Sequence, residues 1–243
     1  MKKKLMASLT GSLVVLLFAS VSWAESHSAK AESGSAKKSD EGFVSLFDGK
    51  TLDGWIRCRE NGEEVTPEES AFGVEDGTIR CSGKGKDYWL VVPGGEYGNC
   101  ILRLEFKLTQ ETNSGVFLRA PELKDPAFKG FEVQIFDDWS EDLTKKYEPN
   151  KHSNGSIYDV LSPMLNMSKP IGEWNEMEIL TKGSKVRVKL NGITIIWSDF
   201  AELTEPIGKF DFPYSAMPKE GYVGVQNHGH ELWFRNIQVK KLD

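Results

Sequence analysis

The stretch GFEVQIFDD, residues 130–138, places Glu132, Gln134 and Asp137 close together along the chain. Carboxylates of this kind can take a proton, give one, or attack an electrophilic carbon, and an amide beside them can hold a substrate oxygen. In an extended chain successive side chains alternate between faces. Phe131, Val133 and Ile135 then share an apolar side, while Glu132, Gln134 and Phe136 share the other. Two further stretches show the same division. In NSGVFLRAP, Val116 and Leu118 point one way and Asn113, Gly115, Phe117 and Arg119 the other. In GYVGVQNHG, Val223 and Val225 point to the core, and Tyr222, Gly224, Gln226 and His228 point away. If these strands are neighbours, Arg119, Glu132, Gln134, Gln226 and His228 converge on one sheet surface. Glycines there leave room for a ligand to approach the backbone. Aromatic rings beside amides and charged groups suit a sugar, through stacking plus fixed hydrogen bonds.

Each residue also has a plainer explanation. Glu132 reads equally as an exposed carboxylate on a wetted sheet edge, and Arg119 as its cross-strand ion-pair partner. Asp137 reads as a cap on the strand end or the following turn. His228 lies in Asn-His-Gly-His, where an imidazole often bonds the local backbone. Arg235-Asn236 reads as a buried structural pair, and most tryptophans as core. The spacing Glu132-x-Gln134-x-x-Asp137 matches the Glu-x-Asp-x-x-Glu strand of lectin-like glucanases, in which two carboxylates flank a glycosidic bond. An amide at the middle position and a shorter final carboxylate weaken that match.

These side chains need a sheet to hold them. The chain is rich in short alternating or β-branched runs, such as NCILRLEFKL, NEMEILTKGSKVRVKLNGITIIWS and LWFRNIQVKKL. Turn pairs at Asp76-Gly77, Lys182-Gly183 and Asn191-Gly192 separate them, and the last two are spaced for a meander. The pattern predicts an all-β chain, either two antiparallel sheets packed face to face or a jelly roll. Only SEDLTKKYE and SDFAEL suit a short helix, and there is no internal repeat.

Residues 1–24 have three lysines, an apolar run and small residues before position 25, as in a secretory signal peptide cleaved after Ala24. The apolar run is short for a membrane anchor. Residues 25–41 are polar and small, as in a disordered linker, which leaves 42–243 as one domain. The expected location is periplasmic or extracellular, with no stable membrane insertion after cleavage. A net charge of −6 without a dense basic cluster argues against nucleic acid. Cys58, Cys81 and Cys100 allow at most one internal disulfide, and buried thiols or one structural bridge is the expectation. No Cys/His spacing marks a zinc site.

FVSLFDGKTLDGW (43–55), NSGVFLRAP (113–121), GFEVQIFDD (130–138), GSIYDVLSP (155–163), GEWNEMEI (172–179), LNGI (190–193) and GYVGVQNHGHELWFRNIQVKKL (221–242) occur in this order. On these segments the chain resembles the 3-keto-disaccharide hydrolase domain family, whose members are also described as 3-keto-glucoside 1,2-lyases and 3-keto-2-hydroxyglucal hydratases. The resemblance implies a concanavalin A-like jelly-roll sandwich of two antiparallel sheets. It also implies a site near Arg119, Glu132, Gln134, Asp137, Tyr158, Gln226 and His228. For such chemistry the expectation is Glu132 or His228 as base, Arg119 and Gln134 on the enolate oxygen, and Tyr158 or Asp137 assisting the leaving group. A divalent cation at the ketone is compatible with the Glu, Asp and His present, but no spacing demands one. Residues 139–154 lack a counterpart in the resemblance and read as a loop over the site that sets specificity. The competing readings are a non-catalytic carbohydrate-binding module, a retaining glucanase using Glu132 and Asp137, and a structural envelope protein.

Overall fold

The computed structural model describes residues 41–140 and 149–243. The proposed signal peptide, nearly all of the linker and most of SEDLTKKYE lie outside the described residues. Among the described residues thirteen strands form two sheets. The eight-stranded sheet runs β11 (Ile193–Asp199), β10 (Lys185–Leu190), β9 (Trp174–Lys182), β6 (Cys100–Leu108), β13 (Leu232–Lys241), β4 (Thr78–Cys81) and β3 (Phe72–Glu75). β1 (Val44–Ser45) joins it beside the C-terminal half of β13. The five-stranded sheet runs β2 (Ile56–Cys58), β5 (Trp89–Val91), β12 (Tyr222–Gln226), β7 (Asn113–Ala120) and β8 (Phe131–Phe136). The strand pairings are antiparallel. The fold is an all-β sandwich of the expected concanavalin A-like kind.

Alternation builds each layer. In β6, Cys100, Leu102, Leu104, Phe106 and Leu108 are buried between the sheets, while Arg103, Glu105 and Lys107 face outward. Their outward neighbours are charged as well: Arg103 and Arg187 each meet Glu178 at 2.9 Å. From the second sheet Val116, Leu118, Phe131, Val133, Ile135, Val223 and Val225 enter the same core. The turns follow the chemistry of their residues. Asp76-Gly77 and Asn191-Gly192 have positive φ at both positions, the conformation that right-twisted hairpins require. The β9–β10 hairpin turns at Gly183-Ser184, one residue beyond the expected pair, because Lys182 still pairs with Lys185.

Helix is nearly absent among the described residues. SDFAEL contributes a single 3-10 turn, Phe200–Glu202, capped by the Asp199 carboxylate. One short helix, α1 (Pro126–Lys129), lies between β7 and β8. Among the described residues no helix is long and apolar enough to cross a membrane. Two local expectations fail. Arg235 and Asn236 are not a buried pair; both clamp the Glu105 carboxylate on the outer face, at 2.8 and 2.7 Å. Their place is a bulge in β13, where Asn236 has positive φ. Trp197 is 58% exposed on the edge strand β11, and Trp174 and Trp233 lie half-buried outside the sheet with Lys107 against both rings.

All three cysteines are buried and unpaired. Burial pushes the Cys58 and Cys81 thiols up to about 12, so little thiolate exists at neutral pH. The native protein is therefore expected to resist an aromatic disulfide reagent, whereas the chain in guanidinium should release three equivalents of chromophore without prior reduction. A count of one thiol under denaturing conditions would reveal a disulfide and refute the assignment.

Candidate functional site

The second sheet has two faces of different character. One packs into the core. The other holds a small apolar cluster of Cys58, Trp89, Val91, Phe117, Ala120 and Ala127. Beside that cluster the face opens into a cleft of about 450 Å³, part of it open solvent. Glu132 and Gln134 of β8, Asn113 of β7 and Gln226 of β12 line the cleft. Tyr88, Trp89 and His228 close one side, and Ala127 and Phe128 of α1 another. The alternation read from three separate stretches is thus assembled by one sheet, since β12, β7 and β8 are consecutive neighbours.

Glu132 is only 4% exposed. It stands opposite Phe117 in the β7–β8 register, and the Phe117 ring packs edge-on against Trp89. Its carboxyl leans over Gly115, where a Cβ would collide with Oε1. Oε1 is buried and has no hydrogen-bond partner. Removing a carboxylate from water disfavours its charged form. Burial accordingly pushes Glu132 up to about 8, against a partial opposing pull from the Lys209 ammonium. Gln134 is oriented by its amide nitrogen, which donates to Asn113 Oδ1 at 3.0 Å. His228 is exposed at the mouth, its ring 5.7 Å from that of Tyr88.

Tyr158 comes from the loop after β8. Gly155 N–H donates to Gln134 O, Gln134 N–H to Ser156 O, and Tyr158 N–H to Glu132 O, at 2.8, 3.0 and 2.9 Å. The loop therefore continues the sheet past its edge and brings the Tyr158 phenol to the cleft. Its hydroxyl accepts a hydrogen bond from Lys209 Nζ at 2.5 Å. Lys209 in turn is held by its backbone N–H, which donates to Asp159 Oδ2 at 2.6 Å.

Two expected site residues are not in the cleft. Arg119 lies in a bulge: Tyr222 pairs with Ala120 and Gly224 with Phe117, so two β7 residues oppose one on β12. Arg119 takes positive φ there, and Ala120 joins the cleft-side apolar cluster in its place. The guanidinium, 2% exposed, donates to Gly183 O in the β9–β10 turn at 2.8 Å. It forms no ion pair with Glu132. Asp137 caps the end of β8: its oxygens accept from the backbone N–H groups of Glu111, Trp139 and Ser140, and from the Ser140 hydroxyl.

The model of the family described as the 3-keto-alpha-glucoside-1,2-lyase-like domain matches residues 42–240. The chain belongs to that family. A curated protein of Bacteroides thetaiotaomicron named 3-keto-disaccharide hydrolase is 29% identical over 235 residues, covering 84% of this chain and 79% of its own. Two Parabacteroides distasonis crystal structures, provisionally named glycosyl hydrolases, superpose with TM-scores of 0.69 and 0.66. They are 30% and 27% identical, and cover 82% and 84% of this chain and 99% and 95% of theirs.

In this 3-keto-alpha-glucoside-1,2-lyase-like domain several cleft residues escaped the sequence reading. Tyr88 belongs to YWLVV, a run apolar on both faces, so period-2 reading assigns it no side. Phe128 comes from α1, a helix of four residues too short to show a period, and Lys209, which touches the cleft residue Tyr158, comes from a loop with no periodicity. Among the described residues no group of three or more His, Cys, Asp or Glu side chains is placed to hold a metal ion.

The raised Glu132 carboxyl has a consequence for stability. It ionises near 4.5 when unfolded and near 8 in the fold, so the fold prefers the protonated form. Its contribution is fully favourable below pH 4.5 and is lost as pH rises toward about 8. Glu132→Gln is expected to stabilise the protein at pH 9 by on the order of 2–4 kcal/mol and to do far less at pH 5. Chemical denaturation at the two pH values measures this; an equal effect at both would contradict the burial argument.

Proposed function

We propose that this protein is an exported carbohydrate-active enzyme that cleaves 3-keto-glycosides, with Glu132 as the base. A ketone at C3 of a pyranose acidifies the hydrogen on C2. Removal of that proton gives an enolate, which expels the C1 substituent and leaves a 2-hydroxy-3-ketoglucal. Water added at C1, with a proton returned to C2, completes a net hydrolysis. The observation that carries this reading is the Glu132 carboxyl itself: buried, oriented over Gly115, lacking a partner on Oε1 and held near 8. A base whose pKa lies near the operating pH is well matched to abstracting a weakly acidic carbon-bound proton. Gln134 and Gln226 supply amide donors on the same face for the developing enolate oxygen, the role sequence reading had given partly to Arg119. Family membership and the named Bacteroides relative support the substrate class. Export is supported by the signal-like residues 1–24.

The double-displacement glucanase reading loses support, because it needs a second carboxylate across the bond from Glu132. Asp137 is committed to backbone N–H groups instead. Incubation with a panel of 3-keto-glucosides, following freed aglycone and the enone-like intermediate, tests the proposal. Turnover is expected, and Glu132→Gln should lower kcat by about 10²–10⁴-fold while leaving the fold intact. Absence of turnover on every 3-keto substrate, or full activity in the variant, would overturn it in favour of a binding module.

A further inference from the structure

We propose that Lys209 fixes the Tyr158 phenol as the proton donor to the leaving group, making Tyr158 a catalytic residue and Lys209 its positioning residue. This deepens the reading above and rests on it. An ammonium has three donors and no acceptor. In the 2.5 Å contact between Lys209 Nζ and Tyr158 Oη the phenol oxygen therefore accepts. Its own proton is left for another acceptor, and Lys209 is the hydrogen-bond partner of Oη among the described residues. Tyr158 lines the cleft that also holds Glu132, so the acceptor this proton can serve is an occupant of the cleft.

Both ends of the pair are anchored. The Tyr158 N–H is pinned to Glu132 O, which ties the phenol's backbone to that of the base. Lys209 is fixed by its backbone bond to Asp159, the residue next to Tyr158, and its Nζ also lies 4.6 Å from the Tyr158 ring centroid. The charged and titratable groups around the pair are Glu132, Asp159, Tyr88 and His152, whose ring centroid is 5.1 Å from that of Tyr158. Lys209 is the cation whose charge acts on Glu132. It thus occupies the electrostatic role that Arg119, turned away by the bulge, does not fill.

The step balances. The Glu132 carboxylate takes the C2 proton, and the C–H electron pair becomes the enolate. The enolate collapses to the C1–C2 double bond as the C1–O bond breaks, and the leaving oxygen receives the Tyr158 proton. The resulting phenolate is already in contact with the Lys209 ammonium. In the return half, water adds to C1 and gives a proton to Tyr158, while Glu132 gives its proton back to C2.

Elimination and enolisation can be read separately. Full-length wild type, Tyr158→Phe, Lys209→Met and Lys209→Arg would be assayed on methyl and 4-nitrophenyl 3-keto-glucosides, with C2 hydrogen exchange followed in deuterium oxide. Tyr158→Phe and Lys209→Met are expected to keep C2 exchange, to lose about 10²-fold or more on the methyl glycoside, and to lose little on the nitrophenyl glycoside, which departs without help. Lys209→Arg should restore much of the methyl-glycoside rate. A merely structural role would depress both substrates and exchange together, and that result would overturn the proposal. So would wild-type cleavage of the methyl glycoside by either variant. Wild type that neither exchanges nor cleaves would instead bring down the 3-keto-glycoside reading itself, whereas a dead Glu132→Gln beside an unaffected Lys209→Met would refute only the assignment made here.

Discussion

Taking the Glu132 carboxylate out of water is the constraint around which the cleft is organised. A charged carboxylate in an apolar setting is expensive unless it is paired or neutralised. Here it sits opposite Phe117, beside a backbone cleared by Gly115, with one oxygen unpartnered. The sheet tolerates this because the remainder of the sandwich is conventionally packed. Phe131, Val133 and Ile135 on the same strand are fully buried, and they anchor β8 whatever the ionisation state of its other face. A strongly held core thus carries one unfavourable residue, a pattern typical of groups tuned for proton transfer.

The neighbouring loops complete what the sheet begins. The segment after β8 extends the sheet edge by backbone hydrogen bonds, so Tyr158 arrives with the precision of a strand residue rather than that of a free loop. The segment before β12 supplies Lys209, and α1 supplies Phe128 at the rim. Phe128 is 43% exposed and packs on Phe210 at 5.9 Å, which ties α1 to the segment before β12 through their rings. Rigid β-strands hold the polar floor, and the loops determine what charge and what apolar surface face it. This division lets one sandwich serve different chemistries, which is why the lectin-like architecture alone assigns no activity.

The bulge in β7 shows how a small backbone irregularity moves a charge from one face of a sheet to the other. One additional residue in β7 reverses the alternation, so the guanidinium of Arg119 leaves the cleft for the carbonyl of Gly183. Gly221 and Gly130 accommodate the distortion, because a Cβ at either position would strike the bulged backbone. With Arg119 absent, the positive charge near Glu132 comes from Lys209, on a flexible stem at the surface. A desolvated arginine beside Glu132 would have lowered its pKa strongly; a more exposed lysine lowers it only in part, and Glu132 stays near 8.

Read residue by residue, the chain already determined its layers. The two-residue period placed Val116, Val133 and Val225 inward and Glu132, Gln134 and Gln226 outward, because alternation is a property of the extended backbone itself. The Asn191-Gly192 and Asp76-Gly77 turns were equally readable, since few other residues accept positive φ at both positions. Only the tertiary structure decided the rest. Periodicity cannot foresee a bulge, so Arg119 was placed on the wrong face. It cannot bring Lys209 to Tyr158, because that contact joins loops distant in sequence. Nor can it tell an exposed glutamate from a buried one, since desolvation depends on Phe117 and Gly115 of the adjacent strand β7 lying against Glu132, with Trp89 of β5 packed on the Phe117 ring.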